Sequence, residues 1–205
     1  MTALTVLADP TTVKVNGAST LGTSGGSGTG AVTYQVISGP CTVSGATLTG
    51  LGPGSCSRTV TTAADGVYAD ATSDPATITV DLAPQSPLTL LANPTTLEVN
   101  GISALDTTGG NGTGAVTYQL VSGPCSVSGS TLTGLGAGSC VVTATKAEDA
   151  VYAAITSKRA TVTVELVPQS PLTLLANPTT VEVSGASALS ATGGNGTGAE
   201  RKSVV

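Results

Sequence analysis

Apolar and polar side chains alternate along most of this chain, which is the pattern of β-strands with one buried face. Lys14 lies between Val13 and Val15, and the same alternation returns at residues 97–99 and 181–183. The middle residue is charged in each copy, so we expect it to face water while its neighbours face a core. No segment shows the spacing of three and four residues that an amphipathic helix needs. The pattern therefore predicts an all-β protein.

The strand pattern repeats, with 84 residues between corresponding positions. Residues 31–56 read AVTYQVISGPCTVSGATLTGLGPGSC, and residues 115–140 read AVTYQLVSGPCSVSGSTLTGLGAGSC. Such self-similarity at one period is typical of a tandem array. We predict a first unit at residues 1–84, a second at 85–168 and a truncated third at 169–205.

Proline-rich junctions determine where we divide these units. Residues 81–87 read DLAPQSP and residues 165–171 read ELVPQSP. Two prolines so close together favour an extended, stiff connector over a flexible one. Division at residue 31 also gives whole periods, at 31–114 and 115–198, but prolines suit a boundary better than a loop between strands.

Turn signals separate about seven short strands in each unit. Residues 16–17 and 100–101 are Asn-Gly pairs, which suit a type I′ hairpin, so we predict that the strands on either side of each pair form one. Residues 23–30 and 107–114 are rich in glycine, and we expect surface loops there. A phosphate-binding loop would require a following lysine and helix, which are missing. This arrangement predicts antiparallel β-sandwiches.

The core has to be built mainly from aliphatic side chains, because the chain has no Phe, no Trp and four Tyr. We expect Tyr34 and Tyr118, at matching strand positions, to be its largest members. Arg58 occupies the position that Val142 has in the second unit. If that position faces inward, Arg58 has to extend to the sheet edge or distort the strand, because an unpaired buried charge is costly. We therefore expect the first unit to be the less stable one.

The four cysteines fall into two pairs with the same spacing. Cys56 follows Cys41 by 15 residues, and Cys140 follows Cys125 by 15. Disulfides are favoured over a zinc site because the chain has no histidine. We predict one bond within each unit, which closes a loop of about 15 residues and contributes about 3 kcal/mol in the loop-entropy model. Four reduced thiols are the alternative.

Composition and charge exclude several classes of function. The chain has seven Lys and Arg, twelve Asp and Glu, and a net charge of −5, so no basic patch can bind nucleic acid or an anionic membrane. No apolar run reaches about 18 residues, so we predict no membrane insertion. Without histidine the commonest general base and metal ligand are absent. We predict no enzyme activity, no catalytic or metal site and no cofactor.

Acidic residues are the remaining candidate metal ligands. Asp65 and Asp149 recur at one turn, and Asp81 and Glu165 recur at the junction. Calcium bridging between units would use these carboxylates, but the surrounding sequence lacks the density of oxygen ligands that a calcium loop has. We expect solvated charges at these four positions, with calcium as the alternative.

Residues 93–101 (NPTTLEVNG), 104–154 and 160–164 (ATVTV) together resemble the bacterial immunoglobulin-like repeats found in tandem in large surface proteins and adhesins. The resemblance covers two complete copies and part of a third. It implies an immunoglobulin-like sandwich and an extracellular role on the bacterial cell surface, and it carries no catalytic residues. Residues 198–205 depart from the repeat, and the N-terminus lacks an export signal, so we expect a piece of a longer array.

These observations predict a structural spacer or stalk whose partners are the neighbouring repeats. The alternative is an adhesive module that recognises a host or cell-surface protein or glycan through its loops. Residues 172–205 supply two strands without a partner sheet, and isolated hairpins are marginal in water. We expect this segment to be poorly ordered or to self-associate through a strand edge.

Overall fold

The computed structural model describes residues 2–195, and all of their regular structure is β-strand. The side chains alternate between core and solvent as the sequence pattern predicts. Val13 and Val15 are buried, and Lys14 between them is exposed. The first unit contains β1 Thr5–Asp9, β2 Thr12–Lys14, β3 Ala18–Ser24, β4 Val32–Ser38, β5 Cys41–Ser44, β6 Thr47–Gly50, β7 Gly54–Thr62, β8 Ala71–Thr72 and β9 Ala76–Asp81.

Two sheets form the sandwich of the first unit. One has the order β1-β3-β6-β5, and the other has the order β2-β9-β7-β4, with β8 on the margin of β7. Without β2 and β8, these are the ABED and CFG sheets of the constant-type immunoglobulin fold. The predicted fold class, an antiparallel immunoglobulin-like sandwich, is therefore confirmed.

The second unit has the same two sheets, ordered β10-β12-β15-β14 and β11-β18-β16-β13. Each unit builds its sheets from its own strands alone. The second set is β10 Leu88–Asn93, β11 Thr96–Glu98, β12 Ile102–Gly109, β13 Val116–Ser122, β14 Cys125–Ser128, β15 Thr131–Gly134, β16 Gly138–Lys146, β17 Ile155–Thr156 and β18 Ala160–Glu165.

The predicted Asn-Gly hairpin is wrong. β2 does not pair with β3 but runs parallel to β9 in the opposite sheet, and β11 runs parallel to β18 in the same way. Asn16 does adopt a positive φ of 65°, but its N–H donates to the carbonyl of Gly50, so the turn carries the chain from one sheet to the other. β3 pairs instead with β1. Pro10, which has no N–H for a ladder, lies where the chain leaves β1.

The two cores differ in continuity. The second unit has one cluster of buried apolar side chains, whereas the first unit has two, one around Leu48 and Ile78 and one around Val60. Tyr34 and Tyr118, which we expected to be the largest members of the core, are half-buried and pack against these clusters from the margin. Small aliphatic side chains fill the centre instead.

Arg58 faces inward in the first unit and is 2% exposed, as Val142 is buried in the second. Its side chain stays buried and does not extend into solvent at the sheet edge. Its strand is not distorted, because Arg58 lies opposite Ala76 in a regular ladder with β9. The irregularity between β4 and β7 falls beside Arg58, but β13 and β16 have it at the matching place beside Val142. The expected strand distortion is therefore not found.

The third unit is represented by a hairpin of β19 Leu172–Asn177 and β20 Ala188–Gly193. The expectation that residues 172–205 are poorly ordered or self-associate stays a prediction, and residues 196–205, which include the departure from the repeat at 198–205, lie outside the described part of the chain. Leu172 and Leu174 are 68% and 69% exposed, whereas their counterparts Leu88 and Leu90 are buried. The alternation predicted at residues 181–183 exists in sequence, but no core covers it here.

Candidate functional site

Each unit is braced internally by one disulfide. The structure bonds Cys41 to Cys56 and Cys125 to Cys140, with 6.1 Å between the Cα atoms of each pair. In the first unit the bond joins β5, at the edge of one sheet, to β7 in the other sheet. It therefore connects the two layers of the sandwich. Two such bonds are typical of secreted or extracellular domains.

Asp149 braces the loops that face the first unit. Its carboxylate accepts hydrogen bonds from the backbone N–H groups of Thr113, Val151 and Tyr152 at 2.6, 2.9 and 2.8 Å. These bonds stabilise the charged form, so the pKa of Asp149 lies well below its ordinary value. The carboxylate joins the glycine-rich loop to the turn before β17.

Asp65 makes the same bonds in the first unit, to Thr29, Tyr68 and Val67, and its pKa is lowered for the same reason. The two aspartates therefore hold loops together through hydrogen bonds. The sequence predicts solvated charges here, with calcium binding as the alternative. Among residues 2–195, no group of three or more His, Cys, Asp or Glu side chains could hold a metal. The recurrence of Asp three residues before Tyr was the available sequence signal.

The junction between the two units is folded into the second unit. Ala83 pairs in parallel with Tyr152. Its N–H donates to the carbonyl of Val151 at 2.8 Å, and its carbonyl accepts from the N–H of Ala153 at 2.9 Å. The connector is therefore held by a short ladder as well as by its prolines.

Gln85 anchors this junction with its side chain, which is 8% exposed. Nε2 donates to the carbonyls of Ala153 and Ala147 at 2.8 and 3.3 Å, and Oε1 accepts from the N–H of Gly112 at 3.3 Å. A Cβ at Gly112 would lie 3.2 Å from Nε2 and 2.9 Å from Asp149 Oδ2, so a larger residue here would displace one of these two hydrogen-bonded side chains. The predicted surface loop at 107–114 thus also receives the junction.

Apolar contacts join the two units beside Gln85. Leu82 of the junction and Val151 of the second unit both pack against the core cluster of the first unit. Val67, the counterpart of Val151 in the first unit, is 82% exposed. The apolar side chain at this turn therefore serves as a contact between units and not as part of its own core.

The second junction has nearly the same sequence but a different environment. Leu166 and Val167 are 73% and 52% exposed, and Gln169 is exposed where Gln85 is buried. Ser170 Oγ donates to Asn195 Oδ1 at 2.7 Å. Pro-Gln-Ser-Pro recurs in both junctions, so the sequence predicts equal junctions and does not reveal the roles of Gln85 and Val151.

No helix of the described residues is long and apolar enough to cross a membrane. No protein-family model matches the chain, and no curated protein matches it. Among solved structures the chain is similar to murine CEACAM1b, with a TM-score of 0.36 and 16% identity over 80% of this chain and 100% of that one.

Proposed function

We propose that this chain is an extracellular structural spacer, which holds distance by coupling immunoglobulin-like units end to end. The observation that carries the proposal is the docking of residues 81–87 onto the second unit. A proline-rich connector alone limits bending but leaves rotation about its ends free. The Ala83 ladder and the Gln85 side chain bond to two loops of the second unit, and together they oppose that rotation.

The disulfides support a role for each unit in resisting mechanical force. A force that pulls on the two ends of the first unit acts on β1 and β9. The disulfide between Cys41 and Cys56 links the two sheets at β5 and β7. The part of the chain between the cysteines cannot extend while the bond is intact. The resemblance to repeats of bacterial surface proteins adds a cell surface as the proposed location.

Gln85 offers a direct test of the rigid junction. In Gln85→Ala the carbonyls of Ala147 and Ala153 and the N–H of Gly112 lose their partner, at a cost of about 1 to 3 kcal/mol. We expect residual dipolar couplings of the wild-type units to fit one alignment tensor, and those of Gln85→Ala to need two.

Gln169→Ala is the matched control, because this glutamine has the same place in the second junction and is exposed. It should leave the single tensor of the first two units unchanged. A wild-type chain whose two units need separate tensors would contradict the spacer proposal, since the units would then reorient independently.

A further inference from the structure

A cleft of about 810 Å³ lies between the two sheets of the first unit. Its walls come from β1 and β3 on one side and from the beginning of β9 on the other, and Arg58 of β7 lines it between them. Val6, Ala8, Leu21 and Ala76 make much of the lining apolar. The cleft is open to solvent, and its volume lies within the range of small-molecule binding sites.

Arg58 brings an incompletely paired cation to this cleft. Its Nη1 donates to the carbonyl of Ala76 at a long 3.4 Å, and Nε has no hydrogen-bond partner among the described residues. No carboxylate oxygen of those residues lies within 4.0 Å of the guanidinium nitrogens. Burial lowers the pKa of Arg58, but a guanidinium remains charged at neutral pH.

The core of the second unit shows that the fold itself does not need this charge. Val142 occupies the matching position and belongs to one continuous apolar cluster. In the first unit the core is divided, with Val60 in one cluster and Ile78 in the other. An arginine that interrupts a core and lines a cleft has the properties of a binding group.

We propose that this cleft binds a small monocarboxylate with an apolar body, whose carboxylate pairs with Arg58. A guanidinium offers a carboxylate two parallel N–H donors, so the pair has both charge and geometry in its favour. The apolar body contacts Val6, Ala8 and Leu21. Asp9 also lines the cleft, and its negative charge disfavours phosphate and other dianions. This site is independent of the spacer role.

Calorimetric titration of the full chain with sodium octanoate tests the proposal. We expect saturable binding with one site per chain, weakened roughly tenfold or more in Arg58→Val. Arg58→Lys should bind weakly, because an ammonium lacks the paired donors. Octan-1-ol, which has no carboxylate, and acetate, which has no apolar body, should each bind at least about tenfold more weakly than octanoate.

Arg159→Val is the matched control, since it removes one positive charge from an exposed position of the second unit. It should leave octanoate binding unchanged. The proposal is overturned by equal binding to Arg58→Val, by equal binding of octanol, or by loss of binding in Arg159→Val. Absence of saturable octanoate binding to the wild-type chain also overturns it.

Discussion

One residue of opposite charge distinguishes the β2–β9 pair of the first unit from the β11–β18 pair of the second. In the first unit Lys14 lies opposite Asp81, and Lys14 Nζ is 3.2 Å from Asp81 Oδ2. In the second unit Glu98 lies opposite Glu165. Directly opposed like charges destabilise a strand pair, whereas opposite charges support it weakly. Both side chains of the ion pair are about half exposed, at 53% and 46%, so water and salt reduce its strength.

Glu98→Lys should therefore stabilise the second unit. We expect a gain of about 0.5 kcal/mol, because a repulsive pair becomes an attractive one at an exposed site. Urea unfolding at low and high ionic strength measures the gain, which should shrink as salt is added. Lys14→Glu is the reverse control and should destabilise the first unit by a similar amount. A gain in Glu98→Lys that persists in high salt would contradict the electrostatic explanation.

At the scale of elements, two aspartate side chains connect loops to one another. Asp65 and Asp149 each collect backbone N–H groups from two different loops. The folded state lowers the pKa of both carboxyls. The unfolded chain, with ordinary values near 3.9, therefore takes up these protons at a higher pH than the folded chain does. The stability that these hydrogen bonds contribute is fully present above the pKa that the carboxyls have in the unfolded chain. It is lost as the pH falls toward the lower pKa that they have in the folded chain.

Asp65→Asn should flatten the acid limb of the stability profile. We expect wild-type stability to decline from about pH 5 downward, and the variant to decline less steeply because one titrating brace is gone. Urea midpoints between about pH 3 and pH 7 measure the slope. Asp74→Asn, at an exposed carboxyl of the same unit, is the control. If Asp65→Asn and Asp74→Asn change the slope equally, the brace is not its source.

At the scale of the whole molecule, the two units share a topology but differ in core and in junction. Arg58 divides the first core, and Val142 completes the second. The first unit also receives Val151 from its neighbour, which supports its core from outside. The expectation that the first unit is the less stable one stays a prediction, and it follows from the buried guanidinium.

Arg58→Val should stabilise the first unit by about 1 to 3 kcal/mol, because it removes an incompletely bonded donor group from the core. Native-state hydrogen exchange measures the stability of the two units separately. In Arg58→Val we expect slower exchange than in wild type for amides of β7 and unchanged exchange for those of β16. Val142→Arg should lower protection in the second unit instead. Unchanged protection of β7 in Arg58→Val would show that the arginine costs the fold nothing.

Much of the fold could be predicted from local pattern. The alternation around Lys14 and Glu98 identified strands and their buried faces correctly. The glycine-rich segments connect strands as expected, although residues 23–24 and 107–109 belong to the ends of β3 and β12. The shared cysteine spacing led to the pairs that the structure bonds. These features depend on residues close together in sequence, where side-chain direction alternates regularly and short loops limit the alternatives.

Partners far apart in sequence were decided only in three dimensions. β2 pairs with β9, so that Lys14 and Asp81 meet across 67 residues, although the nearby Asn-Gly turn favoured β3. Gln85 reaches Ala153 across 68 residues, and nothing in Pro-Gln-Ser-Pro distinguishes it from the exposed Gln169. Local sequence was enough to identify which residues form strands and which of their faces are apolar. Which surfaces meet follows only from the folded chain, because it depends on the summed packing of both sheets and on whether a neighbouring unit covers them.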